Sequence, residues 1–423
     1  MIVHDPLYGA FELPDYLERL VAIPEVRRLS GVRLLNTLSP SLATLGELRR
    51  YSHTLGVLHL ALLNASRMTT EERRALHASV LLHDIGTPPF GHLLEYHLAD
   101  ASSWSHESVI RDVMWGLHAP ENTAHQFFAG RTIAAREEVE HAAISVELVM
   151  EIVEGRHRLS RLLFGTMDLD NLDNVARMAW SLGLGDARDL TVTLAAALDA
   201  TNASTTQLPR VNEPLVADWL ELRKRIYGVL AFDRPTLAAQ AVLSRAIKLA
   251  MDKGELIASD WPLTDEEFLA RLRDDPELRD LINLEYLGRL PQPVFVVQVQ
   301  GSLRDLGLAT RSDATTIVEE VAARVLESNR VLGYVFQETG VFDRRLEFND
   351  PSGGPWSVGA KSQSVIMSAF LRSPQAPSIR RCKRVVAGLI ERLDLPHSKI
   401  LRWSAGDVEE RADGQEAIAF TFG

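Results

Sequence analysis

A histidine and an aspartate stand side by side at the end of an apolar run, in the segment "LLHDIGTPPFGH" of residues 81–92. An imidazole reaches further from the backbone than a carboxylate, so His83 and Asp84 can both approach one cation. The negative end of a preceding helix favours such a cation. An isolated His-Asp pair is more often a capping or surface pair. The dipeptide therefore indicates a metal site only in the company of further ligands.

Histidines are concentrated in the amino-terminal part of the chain. Twelve of the 13 lie within residues 1–157, and His397 is the exception. His53 occurs in "RRYSHTLGV", His106 in "WSHES" and Asp170 in "MDLDNLD". Because imidazoles and carboxylates are common metal ligands and proton carriers, we expect the chemistry to lie in this part of the chain.

The order of these residues, a histidine, a His-Asp pair and a later aspartate, resembles the HD superfamily of metal-dependent phosphohydrolases. The segments "HDPLYGAFEL" and "PEVRRLSGVRLL" are similar to the start of its dNTP triphosphohydrolase (dGTPase-like) branch, and "AAQAVLSRAIKLA" resembles a helix of that branch. The resemblance covers residues 1 to about 290. It implies an HD-domain core, a nucleotide substrate and assembly as a homo-oligomer.

The resemblance implies that His53, His83, Asp84 and Asp170 bind one divalent metal ion. This mixed nitrogen and oxygen donor set suits Mn, Fe, Ni, Zn, Co or Mg, and the sequence does not choose among them. Asp168 is the alternative for the last ligand, and its other role is the N-cap of a helix. A metal held by these groups activates water for attack on phosphorus.

Further residues match the catalytic and phosphate-binding positions of the family. The resemblance implies that His106 is a general acid, that His92 closes the metal-binding loop and that Glu95 orients a catalytic histidine. Arg50 matches a phosphate-contacting arginine of the family. Arg49 could take that role in its place, and a surface role is the other interpretation of Arg50. The residues expected to contact substrate phosphate are Arg50, Asn171 and Arg177.

Several positions depart from the family pattern. Thr87 stands where the loop usually has a third histidine, and threonine cannot carry a proton near neutral pH as imidazole does. After the last ligand the triphosphohydrolases prefer a lysine and a tyrosine that meet the triphosphate, whereas this chain has Asn171 and Asn174. Asp173 and Arg177 are four residues apart and can simply pair with each other.

These features predict a metal-dependent phosphohydrolase whose leading substrate is a (deoxy)nucleoside triphosphate or a modified analogue. A 5′-nucleotidase or phosphodiesterase of the same superfamily is the alternative enzyme. Oxidation by two metals, with His92 and His106 as extra ligands, is a further one. The non-enzyme alternative is a nucleotide-binding sensor that lost turnover together with the loop histidine.

Apolar spacing predicts the helix that carries the His-Asp pair. In "ERRALHASVLLHDIG", Leu76, Val80, His83 and Asp84 share one helix face, and Gly86 is the expected C-cap. The two prolines that follow prevent continuation of the helix.

The pattern changes near residue 293. Helical periodicity before it is interrupted only by a polar loop at 201–214, whereas short β-like runs such as "PVFVVQVQ", "VLGYVF" and "AIAFTF" alternate with helix-like runs after it. We therefore predict a mainly α fold, with an HD-domain helical core at residues 1–290. A small α+β lobe, regulatory or used for oligomerisation, is predicted at 291–423.

Composition narrows the class of protein. The 423 residues are 46% hydrophobic and 24% charged, as in ordinary folded proteins, and contain no apolar run of the roughly 18 residues that a membrane span needs. The net charge of −12 opposes nucleic-acid backbones, although a metal and a few arginines can still attract a small anion into a cleft. A single cysteine, Cys382, and no export signal predict a cytoplasmic location.

Overall fold

The computed structural model describes residues 1–36, 40–101, 104–115, 135–200, 205–340, 343–406 and 408–411, which are the described residues below. The β-like run predicted at 417–422 lies outside them. Among the described residues, no helix is both long and apolar enough to cross a membrane.

Helices make up most of the amino-terminal part, after an antiparallel hairpin of β1 (Ile2–Asp5) and β2 (Gly9–Glu12). The helices that follow are α1 (Asp15–Val21), α2 (Pro24–Arg28), α3 (Ala43–Gly46), α4 (Arg50–Leu63), α5 (Thr70–Leu82), α6 (His92–Ala101), α7 (His106–Met114), α8 (Ala135–His141), α9 (Val146–Val153), α10 (Arg161–Phe164), α11 (Leu169–Ser181), α12 (Arg188–Ala197), α13 (Glu213–Phe232), α14 (Arg234–Asp252), α15 (Asp265–Leu272) and α16 (Pro276–Tyr286). Helix α4 packs against both α5 and α11 in the largest hydrophobic core.

Helix α5 begins with a capping box, in which the side chains of Thr69 and Glu72 each accept a hydrogen bond from the other residue's backbone N–H. This arrangement satisfies two donors that the first helical turn leaves free. Leu76 and Val80 are fully buried on the predicted face. The apolar spacing therefore predicted this helix and its inward face correctly.

The predicted end of α5 is wrong by a few residues. The helix stops at Leu82 with His83 as its C-cap, so Gly86 does not cap it. Gly86 instead allows the loop backbone to lie close to the backbone of His106, because a Cβ atom at this position would lie 2.3 Å from the carbonyl oxygen of His106. The loop after α5 can thus lie directly against the start of α7.

The carboxy-terminal part is built on an antiparallel sheet of order β4-β7-β3-β8-β9, beside a separate β5–β6 hairpin. Its elements are β3 (Gln292–Gln300), α17 (Arg311–Leu326), β4 (Val331–Thr339), β5 (Leu346–Asp350), β6 (Gly354–Val358), β7 (Gln363–Leu371), α18 (Ile379–Arg392), β8 (Ile400–Ala405) and β9 (Val408–Arg411). Helices α17 and α18 cover one face of the sheet, and the other face packs on α14. The predicted fold class, a helical core with a small α+β lobe, is confirmed.

The two parts share their packing. Leu346 and Phe348 of the β5–β6 hairpin are buried in the main helical core, and the indole N–H of Trp356 donates to the carbonyl oxygen of Leu208 at 3.0 Å. The sheet begins at Gln292, but this hairpin reaches back over the helices. The division into separate domains at residue 291 therefore stays a prediction.

Candidate metal centre and main cavity

The four predicted metal ligands come from two helices and the segment after a third, and they meet at one place. Helix α4 carries His53, the segment directly after α5 carries His83 and Asp84, and the first turn of α11 carries Asp170. Nε2 of His53 lies 2.7 Å from Oδ1 of Asp170. Nε2 of His83 lies 3.5 Å from that oxygen and 3.8 Å from Oδ2 of Asp84. We call these four residues the metal cluster.

Both imidazoles of the metal cluster are oriented through Nδ1. In His53, Nδ1 lies 2.7 Å from Oδ2 of Asp173. In His83, Nδ1 lies 2.7 Å from the carbonyl oxygen of Val80. Because these oxygens only accept hydrogen bonds, each Nδ1 donates, and Nε2 of the neutral imidazole is left as the atom with a free lone pair. Both Nε2 atoms face the cluster's carboxylates, which is the orientation a metal ligand needs.

The residues of the cluster fit a divalent cation. Nε2 of His83 is buried and makes no hydrogen bond among the described residues, which is costly unless another partner binds it. Burial lowers the pKa of His53, but the carboxylates of Asp170 and Asp173 raise it to about 10. The site therefore concentrates negative charge around two imidazole nitrogens, as expected for one ion of Mn, Fe, Ni, Zn, Co or Mg.

A buried ion-pair network stands behind His53. Nε and Nη2 of Arg177 each lie 2.9 Å from an oxygen of Asp173, and Nη2 lies 3.0 Å from Oδ2 of Asp5. Gly56 makes room for this network, because a Cβ atom there would lie 2.0 Å from Oδ1 of Asp173. The alternative that Asp173 and Arg177 pair is confirmed.

The same network includes Arg177, whose contact with substrate phosphate stays a prediction. The side chain of Arg177 is only 1% exposed, and its Nε and Nη2 are bound to two carboxylates. It lies on the Nδ1 side of His53, away from the cluster's Nε2 atoms. Arg177 therefore fixes the carboxylate that fixes His53, a role that the i, i+4 spacing indicated but the family pattern did not.

Arg50 and Thr87 both hold Asp84. Nη1 of Arg50 lies 3.1 and 3.0 Å from the two carboxylate oxygens, and the hydroxyl of Thr87 donates to Oδ1 at 3.0 Å. Burial alone would raise the pKa of Asp84, but Arg50 and the cluster's histidines hold it well below its usual value. Thr87, at the position of the missing loop histidine, thus positions a metal ligand.

The three residues predicted to handle protons form one hydrogen-bonded group. Glu95 Oε1 lies 2.7 Å from Nδ1 of His106, and Glu95 Oε2 lies 2.8 Å from Nδ1 of His92. Burial lowers the pKa of His106, but the carboxylates of Glu95 and Glu107 raise it above its ordinary value. His106 therefore keeps its proton near neutral pH more readily than a free histidine. The His92 side chain is 53% exposed at the edge of the group.

Asp168 caps α11 and does not point to the cluster as a ligand. Its Oδ1 accepts a hydrogen bond from the backbone N–H of Asn171 at 2.7 Å, so the alternative N-cap role is confirmed. Burial and the charge of Asp170 raise the pKa of Asp168 to about 7. The side-chain amide of Asn171 donates to Asp168 and accepts from Arg344 at 3.1 Å. The phosphate contact of Asn171 stays a prediction.

The metal cluster opens into a cavity of about 520 Å³, here called the main cavity. Arg50, His92 and His106 line it beside the cluster. Its remaining walls are largely aromatic and aliphatic, and they include Phe164, Met178, Tyr227, Leu230, Tyr334 and Phe336. Among the described residues that line this cavity, Arg50 is the only lysine or arginine, and it is already paired with Asp84.

Sequence reasoning missed part of this site. The approach of Asp173 to His53 could have been found from its spacing, since Asp170 and Asp173 are three residues apart on one helix. Arg344, Tyr334 and Phe336 gave no such signal, because the fold brings them from the distant α+β part. The aromatic wall of the main cavity is thus a product of tertiary packing.

Comparison with known proteins agrees with this architecture. Residues 50–200 match the family model of the HD domain, a range that includes all four residues of the metal cluster. The deoxynucleoside triphosphate triphosphohydrolase SAMHD1 homolog of Dictyostelium discoideum is 22% identical over 206 residues. That match includes 43% of this chain and only 36% of the relative, so it spans about a third of the relative's length.

Two solved structures share the fold over nearly their whole length. A phosphohydrolase from Bacteroides thetaiotaomicron superposes with a TM-score of 0.62 and 17% identity, covering 87% of this chain and 99% of that one. A hypothetical protein from Aquifex aeolicus superposes with a TM-score of 0.64 and 16% identity, covering 92% and 99%. At these identities the likeness concerns the fold.

Proposed function

Because this chain belongs to the HD superfamily of phosphohydrolases, we propose that it hydrolyses a nucleotide phosphate ester with the help of one divalent metal ion. The observation that carries the proposal is the metal cluster: two imidazoles whose Nε2 atoms face two carboxylates converge beside a cavity. When bound, the ion would polarise a phosphoryl oxygen and lower the pKa of water.

The protein's own residues supply binding and proton transfer. Asp173 and the Val80 carbonyl fix the two imidazoles, and Arg50 with Thr87 fixes Asp84. We assign His106 as the general acid that donates a proton to the leaving oxygen. Glu95 accepts a hydrogen bond from Nδ1 of His106 and keeps this imidazole charged. The second proton, on Nε2 of His106, is the one donated.

A (deoxy)nucleoside triphosphate or a modified analogue is the leading substrate. The resemblance of the amino-terminal segments and the similarity to the Dictyostelium triphosphohydrolase homolog support it. The apolar and aromatic walls of the main cavity suit a nucleoside, whose base can stack on an aromatic ring. Homo-oligomeric assembly and a cytoplasmic location belong to the same proposal and rest on the resemblance and the composition.

One observation favours a second candidate, a 5′-nucleotidase or phosphodiesterase. A triphosphate carries several negative charges, yet among the described residues lining the main cavity only Arg50 is a lysine or arginine. In the segments outside the described residues the sequence contains a single one, Arg131. A substrate with one phosphoryl group needs fewer positive partners.

A substrate panel tests the proposal. Protein loaded with Mn²⁺, Mg²⁺, Fe²⁺ or Co²⁺ is incubated with ribo- and deoxynucleoside triphosphates, monophosphates and cyclic nucleotides, and products are resolved by anion exchange. Tripolyphosphate release supports the leading substrate, and orthophosphate from monophosphates supports the nucleotidase. Binding without turnover of any compound under any metal contradicts the enzyme and supports the nucleotide sensor.

A further inference from the structure

A second cavity of about 510 Å³ lies behind the main cavity. It is enclosed by α6, α14, the first half of α17 and strand β4. Tyr96 and Tyr334 line both cavities, so their side chains form a shared wall. The second cavity contains none of the predicted site residues.

Two of the three lysine and arginine side chains that line the second cavity are paired with carboxylates. Arg245 forms an ion pair with Glu319, which is also held by the backbone N–H of Gly333. Lys248 lies 2.9 Å from an oxygen of Asp252.

The third is Arg311, whose guanidinium carbon lies 3.4 Å from the centre of the Tyr96 ring. Arg311 has no carboxylate within ion-pair distance among the described residues. A half-buried guanidinium with five donors and no acceptor is suited to an anion, which it can bind through two parallel hydrogen bonds.

The other groups of the second cavity narrow the chemistry of that anion. Burial, with the charges of Lys248 and Arg311, lowers the pKa of His97 to about 4, so its imidazole is neutral and lies 2.9 Å from the hydroxyl of Ser244. The exposed carboxylate of Asp100 also lines the cavity. Hydroxyls of α17 and apolar groups complete the lining, including Ser312, Thr315, Leu249, Met251 and Val335.

We propose that the second cavity binds a small organic phosphate, with Arg311 as the residue that holds the phosphate group. The hydroxyls beside Arg311 suit phosphate oxygens, and the apolar groups suit the organic part. The volume lies within the range of about 300 to 1,000 Å³ that is usual for small-molecule sites. No residue of the metal cluster takes part.

The second cavity is joined to the candidate general acid by direct contacts. The Tyr96 ring lies under Arg311 and stacks with His92, with 6.2 Å between ring centres. His92 and His106 share the carboxylate of Glu95. An anion on Arg311 therefore acts through Tyr96 on the group that orients His106. This regulatory role, unlike the binding itself, rests on the proposed function.

Binding is tested with phenylphosphonate, whose C–P bond resists hydrolysis, titrated calorimetrically into the full Mn²⁺-loaded chain. We expect one site at the metal and one in the second cavity. Arg311→Gln should lose the second site or weaken its Kd about tenfold or more, because a charged hydrogen-bonding partner is removed. Arg311→Lys should retain part of the affinity. The control Arg279→Gln, an exposed arginine on α16, should bind as the wild type does.

Each titration outcome is decisive. A site that survives removal of the metal but disappears in Arg311→Gln supports the proposal, even if the metal site itself binds no phosphonate. Unchanged binding in Arg311→Gln, a single site that disappears on metal removal, or no binding at all overturns it. Equal thermal unfolding of the three variants excludes a folding defect as the cause.

Regulation is tested by kinetics at substrate concentrations far above KM, where competition in the main cavity is suppressed. Phenylphosphonate should change kcat at least twofold in the wild type and leave kcat of Arg311→Gln unchanged. An unchanged wild-type kcat overturns the regulatory role while the binding result stands. Failure of every substrate would instead contradict the proposed function, and the calorimetric result would be unaffected.

Discussion

On one side of the main cavity, each ligand of the metal cluster except Asp170 is held by a buried group behind it: His53 by Asp173, His83 by Val80 and Asp84 by Arg50. On the other side, where a substrate's phosphates and base would lie, the lining is mainly aromatic and aliphatic. We call the first the metal side and the second the substrate side. Buried charges fix the metal side in one geometry, whereas the apolar walls of the substrate side restrain a ligand mainly by shape. The reaction type is therefore more tightly specified by this structure than the substrate.

The largest effect is expected from removing a ligand on the metal side. Asp84→Asn keeps the shape of the side chain but removes the charge that binds both the ion and Arg50. Metal content measured by mass spectrometry should fall below one tenth of the wild-type value, and hydrolysis should reach background. Arg49→Gln, an arginine paired only with Glu47 among the described residues, is the control and should keep both. Metal content that survives in Asp84→Asn would refute the cluster.

The next effect concerns the proton donor at the border of the two sides. His106→Asn should lower kcat by about 100-fold to 10,000-fold, as general acids commonly contribute, with metal content unchanged. Because carboxylates raise the pKa of His106, the wild-type rate should fall with rising pH only above about 6.5, the ordinary value for histidine. Comparable kcat values for His106→Asn and wild type would remove His106 from the mechanism.

The pH dependence also distinguishes two carboxylates. Glu95→Gln removes the main group that raises the pKa of His106, so the falling limb of the pH–rate profile should move to lower pH. The more exposed Glu107, whose Oε1 lies 3.3 Å from Nε2 of His106, should have a smaller effect as Glu107→Gln. An equal shift for both variants, or a shift to higher pH, would contradict the assignment.

A weaker loss of metal binding is expected from the network behind His53. Asp173→Asn should reduce metal affinity about 10-fold to 100-fold, as loss of a group that orients a histidine ligand commonly does. It also leaves the buried Arg177 without one of its two carboxylates, so the free energy of unfolding should fall by about 3 kcal/mol or more. Metal titration and urea unfolding measure the two effects, with exposed Asp280→Asn as control. Unchanged affinity would mean that Asp173 does not orient His53.

The smallest effect lies on the substrate side. Asn171→Lys adds one charge next to the metal cluster, where the triphosphohydrolases have lysine. The KM for a triphosphate should fall about three- to fivefold, since partly exposed charge pairs contribute about 1 kcal/mol or less. The KM for a monophosphate should change less. A lower kcat with unchanged KM would indicate that the new lysine disturbs the metal side instead.

The metal side was largely accessible to sequence reasoning, because its residues sit at fixed places on helices. The apolar spacing of α5 and the acidic first turn of α11 predicted where His83, Asp84 and Asp170 stand. The i, i+4 spacing of Asp173 and Arg177 predicted their pairing, although the family pattern suggested phosphate for Arg177. The burial of Arg177 favours the pairing, and burial follows from packing that one sequence does not display.

The substrate side and the second cavity were not accessible in this way. Tyr334 comes from β4 and Arg344 from the segment before β5, more than 150 residues beyond the last metal ligand. Arg311 stacks on Tyr96, 215 residues earlier in the sequence. Such contacts depend on how the α+β lobe docks on α14, for which no local pattern exists. Gly86 shows the same limit on a smaller scale, since its contact partner in α7 replaced the expected C-cap role.

Metal reconstitution shows whether hydrolysis depends on one ion held by the metal cluster. Protein stripped with a chelator is titrated with Mn²⁺ while bound metal and hydrolysis of the best substrate of the panel are followed together. We expect no hydrolysis by the stripped protein and a rate that rises in proportion to bound metal up to one ion per chain. Full hydrolysis without metal, or saturation of the site with no hydrolysis of any nucleotide, would contradict this expectation.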